Sequence, residues 1–171
     1  MTAAMEDLRP YMFSIAYRML GSASEAEDVV QDAMVRMHSA EPAEQVRSPT
    51  AYAATVTTRL ALDQLRSARV RRERYVGTWL PEPLLTGADP AERVELHESL
   101  SMAFLVLAET LSPVERAVFL LRDVFDYPYD EVARIVERTE ANCRQLAARA
   151  RRHVAARRPR FDPAAGRQDE L

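Results

Sequence analysis

Apolar residues recur every three or four positions along most of this chain, and the recurrence breaks at a few polar or Pro/Gly-marked points. Leu8, Met12, Ile15 and Met19 share one face of a first helix that begins near Met5 and closes at Leu20-Gly21-Ser22. Ser24-Glu25-Ala26-Glu27 has the spacing of a capping box, predicting a second helix capped by Ser24. Glu25, Glu27 and Asp28 suit its first turn, where unpaired amides face outward. Val29, Val30, Ala33, Met34 and Met37 carry its apolar stripe, which stops before Pro42. A polar loop, Glu41 to Ser48, leads to Ser48-Pro49, a cap followed by proline at the first helical position. The third helix is long, running through Thr55, Val56, Leu60, Leu62 and Leu65 into the Arg69–Arg74 tail. These helices bury a core together, and none is expected to fold alone.

From Tyr75 to Pro90 the pattern changes. Gly77, Pro81, Pro83, Gly87 and Pro90 punctuate Trp79, Leu80, Leu84 and Leu85, which marks a linker that is unusually apolar. Such a segment is expected to dock on something, its own domain included, rather than swing in solvent. Leu96, Leu100, Phe104 and Leu107 then begin a second helical unit. Ser112-Pro113-Val114-Glu115 combines cap, helical proline and capping-box acid, with Val114, Ala117, Val118 and Leu121 as the buried stripe. Asp123 to Tyr127 turns the chain, Pro128 to Val136 forms a short helix, and Thr139 caps a last helix carrying Cys143, Leu146, Ala147 and Ala150. A short helix, a tight turn and a longer Arg-bearing helix make a helix-turn-helix. The predicted fold is therefore all-α with two small domains, 1–74 and 93–158, a linker at 75–92 and a tail at 159–171.

Composition supports this. Four glycines in 171 residues favour helix over sheet, and one cysteine excludes a disulfide framework or a cysteine-rich zinc site. No stretch approaches the roughly 20 apolar residues of a membrane span, and the N-terminus lacks a secretory pattern, so a cytoplasmic protein without membrane contact is expected. The net charge of -3 conceals a strong alternation. Every one of the 23 basic residues is arginine. Residues 25–44 hold six carboxylates against Arg36, and residues 59–74 hold six arginines against Asp63 and Glu73. Residues 82–115 are acidic again, and residues 138–160 carry eight arginines against Glu140. Two basic blocks around an acidic segment suit two contacts with a polyanion, although Arg-rich helix ends also occur on plain solvated surfaces.

The last helix offers specific chemistry. Arg144 has the donor fork for guanine, Asn142 and Gln145 suit adenine, and Glu140 can accept from cytosine. Arg149, Arg151 and Arg152 sit later and suit phosphates. The bland readings are a local cap for Asn142, a solvated Gln145 and an Arg151 that offsets the helix C-terminus. Cys143, on the apolar face, reads as a small buried hydrophobe rather than a redox sensor. Enzyme chemistry finds no support. His38, His97 and His153 lie in different elements, and no phosphate-cradling or nucleophile motif occurs. Neither a catalytic residue, a metal nor a cofactor is expected.

These motifs together resemble the bacterial extracytoplasmic-function (ECF) sigma factors. Ala23 to Arg36 resembles part of sigma region 2, which implies that Glu27, Asp28, Gln31 and Asp32 dock on the clamp helices of core RNA polymerase. Thr58 to Arg66 and the Arg tail look like the helix that contacts and opens the -10 element, which implies roles for Arg59, Asp63, Arg66, Arg69, Arg71 and Arg72 on promoter DNA. Leu111 to Arg122 and Tyr129 to Ala133 resemble region 4, whose closing helix reads the -35 element. The chain departs from the family's pattern at three places: His38 stands where many members have Trp, Arg59 where many have Asn, and Glu137-Arg138 where a Gly-hydrophobic pair is usual. The linker, with Asp123 to Tyr127 and Glu140 to Gln145, is similar to that of ECF members carrying a fused SnoaL-like C-terminal domain, and Arg158 to Asp162 resembles the start of that domain. The resemblance makes Trp79, Leu80, Pro81, Glu82 and Pro83 a regulatory contact with it. Two other readings compete. A helix-turn-helix regulator would bind duplex DNA without polymerase, and an adaptor module would leave the final Arg-bearing helix without a purpose.

Overall fold

The structure is a computed structural model that describes residues 5–40, 48–72 and 110–156. Helix α1, Arg9–Leu20, ends where Gly21 turns left-handed at φ 72° and its amide donates to the Tyr17 carbonyl. That turn delivers Ser22 in extended backbone, so α2 starts at once and spans Ala23–Ser39. Ser22, not Ser24, is therefore the cap, accepting the Glu25 amide at 3.4 Å. The sequence offers the same Ser-x-x-Glu spacing twice, and the position of Gly21 selects the first. Helix α3, Pro49–Arg72, begins as expected, with the Ser48 hydroxyl accepting the Ala51 amide at 3.2 Å.

In the second unit Ser112 and Glu115 form the reciprocal capping box that opens α4, Pro113–Phe119. A π-helical turn, Leu120–Val124, continues α4, and the Phe125 amide reaches back to the Leu120 carbonyl. Helix α5, Tyr129–Val136, ends at Glu137, which takes the left-handed conformation at φ 56°. A side chain there costs roughly 1–2 kcal/mol that glycine would avoid. Helix α6, Glu140–Ala156, follows, with the Thr139 hydroxyl accepting the Asn142 amide at 3.1 Å.

Met12, Ile15, Met19, Val30 and Ala33 are buried where α1, α2 and α3 meet. Val118, Leu121, Val132, Cys143 and Ala147 are buried where α4, α5 and α6 meet. The two groups join into one apolar cluster, because α3 packs on α4 and α5 and α1 packs on α4 and the π turn. Polar contacts follow the same seam. The Tyr11 and Tyr127 hydroxyls lie 2.5 Å apart, and Tyr11 meets Phe125 edge-on at 5.6 Å. Burial pushes both phenols above the ordinary tyrosine range, and for Tyr11 the bond to Tyr127 adds to it. Arg116, 6% exposed, donates to the Met19 carbonyl at 2.5 Å. The apolar pattern foretold both local cores but not this seam.

Candidate nucleic-acid interface

Cys143, Ala147 and Ala150 anchor α6 to its neighbours, so its other faces project Glu140, Arg144, Gln145, Arg149, Arg151 and Arg152 into solvent, with Asn142 half-buried. The arginines are not equivalent. Arg144 pairs with Glu140 at 3.1 Å, one turn back, and its guanidinium stands 5.0 Å from the Tyr129 ring centre. Arg122 approaches the same ring at 4.9 Å, so two cations converge on Tyr129. Arg149 lies 3.5 Å from Glu115, the buried acid of the capping box. Arg151 makes a two-pronged pair with Asp123 at 2.8 and 2.6 Å and approaches the Tyr129 hydroxyl. Those bonds to Asp123 hold the Arg151 charge above its ordinary range. A residue assigned to phosphate from sequence thus also ties α6 to the π turn.

The acidic face of α2 is laid out differently. Asp28, Gln31 and Asp32 are exposed at helical spacing, while Glu27 pairs with Arg9 at 2.7 Å. Both members of that pair are solvated, so it holds little energy. Val35 continues the Asp28–Asp32 row at 66% exposure. Sequence reading passed over it. The signal was present, because Val35 lies off the Val29, Val30, Ala33 and Met37 stripe that fills the core.

Along α3, Asp63 and Arg66 are exposed and form a 3.8 Å pair. Arg69, Arg71 and Arg72 belong to the helical backbone, but their side chains lie outside the described residues, as does the loop at 41–47. Trp79, Leu80, Pro81, Glu82 and Pro83 also lie outside them. Arg59 is engaged with the second unit: its Nε donates to the Ile135 carbonyl at 3.0 Å and its Nη2 to the Arg134 carbonyl at 2.9 Å. Beside it, α3 and α5 bound an open cleft of about 380 Å³ lined by Tyr52, Thr55, Glu131 and Arg134 among others. Among the described residues, no group of three or more His, Cys, Asp or Glu is placed to hold a metal ion, and no helix is long and apolar enough to cross a membrane.

Three kinds of likeness converge on this architecture. Residues 4–71 match the family model for sigma-70 region 2, and residues 101–154 match that for sigma-70 region 4. The chain is 46% identical over 154 residues to the ECF RNA polymerase sigma factor SigJ of Mycobacterium tuberculosis, covering 88% of this chain and 49% of that protein. It is 38% identical over 156 residues to the probable ECF RNA polymerase sigma factor SigI of the same species, covering 90% of this chain and 53% of SigI. The chain thus spans about half the length of the curated relatives it matches. The crystal structure of SigJ superposes with a TM-score of 0.69 at 39% identity, over 91% of this chain and 53% of that one. The sigma factor RpoE of Bartonella quintana, solved in complex with the anti-sigma factor NepR, shares the fold with a TM-score of 0.66 at 17% identity, over 91% and 94% of the two chains. With regions 2 and 4 in order, on helices whose caps and cores its own residues explain, the chain belongs to the ECF sigma factors.

Proposed function

We propose that the chain is an RNA polymerase sigma subunit that brings core enzyme to promoters and helps open them, acting in the cytoplasm and without catalysis of its own. The observation that carries the reading is the separation of two unlike surfaces on one chain. An acidic face on α2, Asp28, Gln31 and Asp32 with Val35 beside them, suits a protein partner. An arginine-bearing helix-turn-helix, α5 and α6, suits DNA. Charge steers and orients encounter with the polymerase, and Val35 supplies an apolar centre within a polar rim. Glu27 joins this face by releasing Arg9.

Within this reading Arg59, Asp63, Arg66, Arg69, Arg71 and Arg72 face the -10 element, with the arginines holding phosphates of the opening strands. Glu140, Asn142, Arg144 and Gln145 read the -35 element, while Arg149, Arg151 and Arg152 position the helix on its backbone. The linker residues Trp79, Leu80, Pro81, Glu82 and Pro83 form a regulatory contact, with a fused SnoaL-like domain as the proposed partner. Core-polymerase binding tests the reading. Reversing Asp28 and Asp32 to Arg should weaken binding at least tenfold with the far-ultraviolet circular dichroism unchanged, and adding Val35→Glu should weaken it further. Core affinity equal to that of the unaltered chain in both variants would refute it.

A further inference from the structure

The seam between regions 2 and 4 is built around an exchange of helix caps. The last carbonyls of any α-helix lack partners within it. At the end of α5, the Ala133 carbonyl accepts the Glu137 and Arg138 amides. The next two carbonyls, of Arg134 and Ile135, accept the Arg59 guanidinium instead. Glu137 adds a carboxylate 3.6 Å from the same guanidinium. A cation at a helix C-terminus is also favoured by the helix dipole. In return, Arg116 of region 4 reaches the Met19 carbonyl near the end of α1. Each region therefore supplies an arginine to a helix end of the other.

We infer that Arg59 is the release point of a cis latch, in which region 4 occupies the promoter-facing flank of α3 until DNA or polymerase takes its place. The inference rests on the reading of α3 as the -10 helix. Arg59 commits its Nε–H and one Nη2–H to α5, and α5 itself packs against this flank of α3, so α5 and an opening strand compete for the same surface. With α5 seated, the α3 surface from Tyr52 to Arg59 becomes one wall of an open cleft whose other wall is Glu131, Arg134 and Ile135. The two caps divide the labour by burial. Arg116 is almost wholly enclosed, whereas the Arg59 side chain is 45% exposed and the Glu137 side chain 74% exposed. Water and anions reach Arg59 first, so the seam opens from that edge. Arg59 and Glu137 are also two positions at which the chain departs from the pattern of the family it resembles, and they meet in space.

The test measures the distance between regions directly in the free full chain. Spin labels on Arg36→Cys and Ala148→Cys, both exposed and outside the seam, report it by pulsed electron resonance. Cys143 is buried and stays unlabelled. The parent should give one dominant distance. Arg59→Asn should raise the longer-distance population roughly tenfold, as expected for losing charged hydrogen bonds. Glu137→Gly should raise it about twofold, since an exposed ion pair contributes little. Glycine also suits the left-handed backbone there, so the fold is not at risk. Glu137→Arg, which faces Arg59 with a like charge, should fall between them. Distance distributions that superpose on the parent in all three variants would overturn the latch. With core polymerase and a promoter, Glu137→Gly should speed open-complex formation by a similar twofold, read as thymine reactivity to permanganate. Shifted distances with an unchanged opening rate would overturn its control over promoter opening. Failure of the parent itself to support opening with core enzyme would refute the sigma reading, while the distance series still decides whether the latch exists.

Discussion

Arg144 and Arg151 lie two turns apart on α6, yet their surroundings give them different work. Arg144 is held by Glu140 of its own helix and by the Tyr129 ring, and on the proposed reading a base edge takes the place of these contacts. Arg151 is clamped by Asp123 of the π turn. Arg144→Ala should therefore cost about 1–3 kcal/mol at one promoter position and relax preference there. Arg151→Ala should lower the unfolding temperature by about 2–4 °C, corresponding to about 1 kcal/mol, and weaken all DNA sequences alike. Thermal denaturation and a promoter library separate the two; loss of base preference only in the Arg151 variant would reverse the roles. Cys143 gives a simpler case. It is fully buried and burial raises its thiol above the ordinary range, so it should resist a thiol-specific reagent at neutral pH until the protein unfolds. Rapid modification of the native chain would contradict that placement.

Helix beginnings were readable because a cap is a local exchange between a side chain and the next turn's amides. Ser48, Ser112 and Thr139 all cap where the sequence places them, whereas the doubled Ser-x-x-Glu spacing misplaced one start by two residues and α1 runs from Arg9 rather than from near Met5. The π turn at Leu120–Val124 left no mark: the sequence pattern puts Asp123 and Val124 in the turn that follows, and the one extra residue of a π turn changes no side-chain spacing that periodicity detects. Long-range polar contacts were equally illegible: Arg59 and Ile135 are 76 residues apart, and no periodicity links them. The acidic face of α2 could be read, since position along one helix fixes it, whereas the engagement of Arg59 could not. The long helix α3 holds a further surprise in Thr57 and Thr58, whose buried hydroxyls have no hydrogen-bond partner among the described residues. Thr55, by contrast, donates to the Ala51 carbonyl one turn back. A buried hydroxyl left unmatched destabilises its helix, so Thr57→Val or Thr58→Val should each raise stability by about 1 kcal/mol. Urea denaturation checks this, and a lower midpoint in both variants would show that the hydroxyls have work in the native state.

At the scale of the whole molecule, two regions that each bury their own apolar stripe also share a continuous core and a polar seam. The sharing should make unfolding cooperative across residues separated by most of the chain, and Arg116 is the place to examine it. Its guanidinium is nearly enclosed and donates to the Met19 carbonyl, a group at the end of α1 that α1 itself cannot satisfy. Arg116→Ala leaves that carbonyl in the interior without its charged donor and opens space beside Met19. Such a loss costs about 1–3 kcal/mol, a large share of the 5–15 kcal/mol that holds an ordinary domain together. The exposed Arg59 contact should behave otherwise, since water can take over the carbonyls it releases. Arg116→Ala is thus expected to lower the urea midpoint and also the slope of the transition, as region 2 and region 4 begin to unfold separately. Arg59→Asn is expected to shift the balance between closed and open forms with a smaller change in midpoint. Equilibrium unfolding followed by far-ultraviolet circular dichroism, with tyrosine absorbance as a second probe near Tyr11 and Tyr127, distinguishes them. Coincident transitions in the parent and divergent ones in Arg116→Ala would mark the enclosed arginine as what couples the two regions; coincident transitions of unchanged slope in both variants would place the coupling in the apolar core alone.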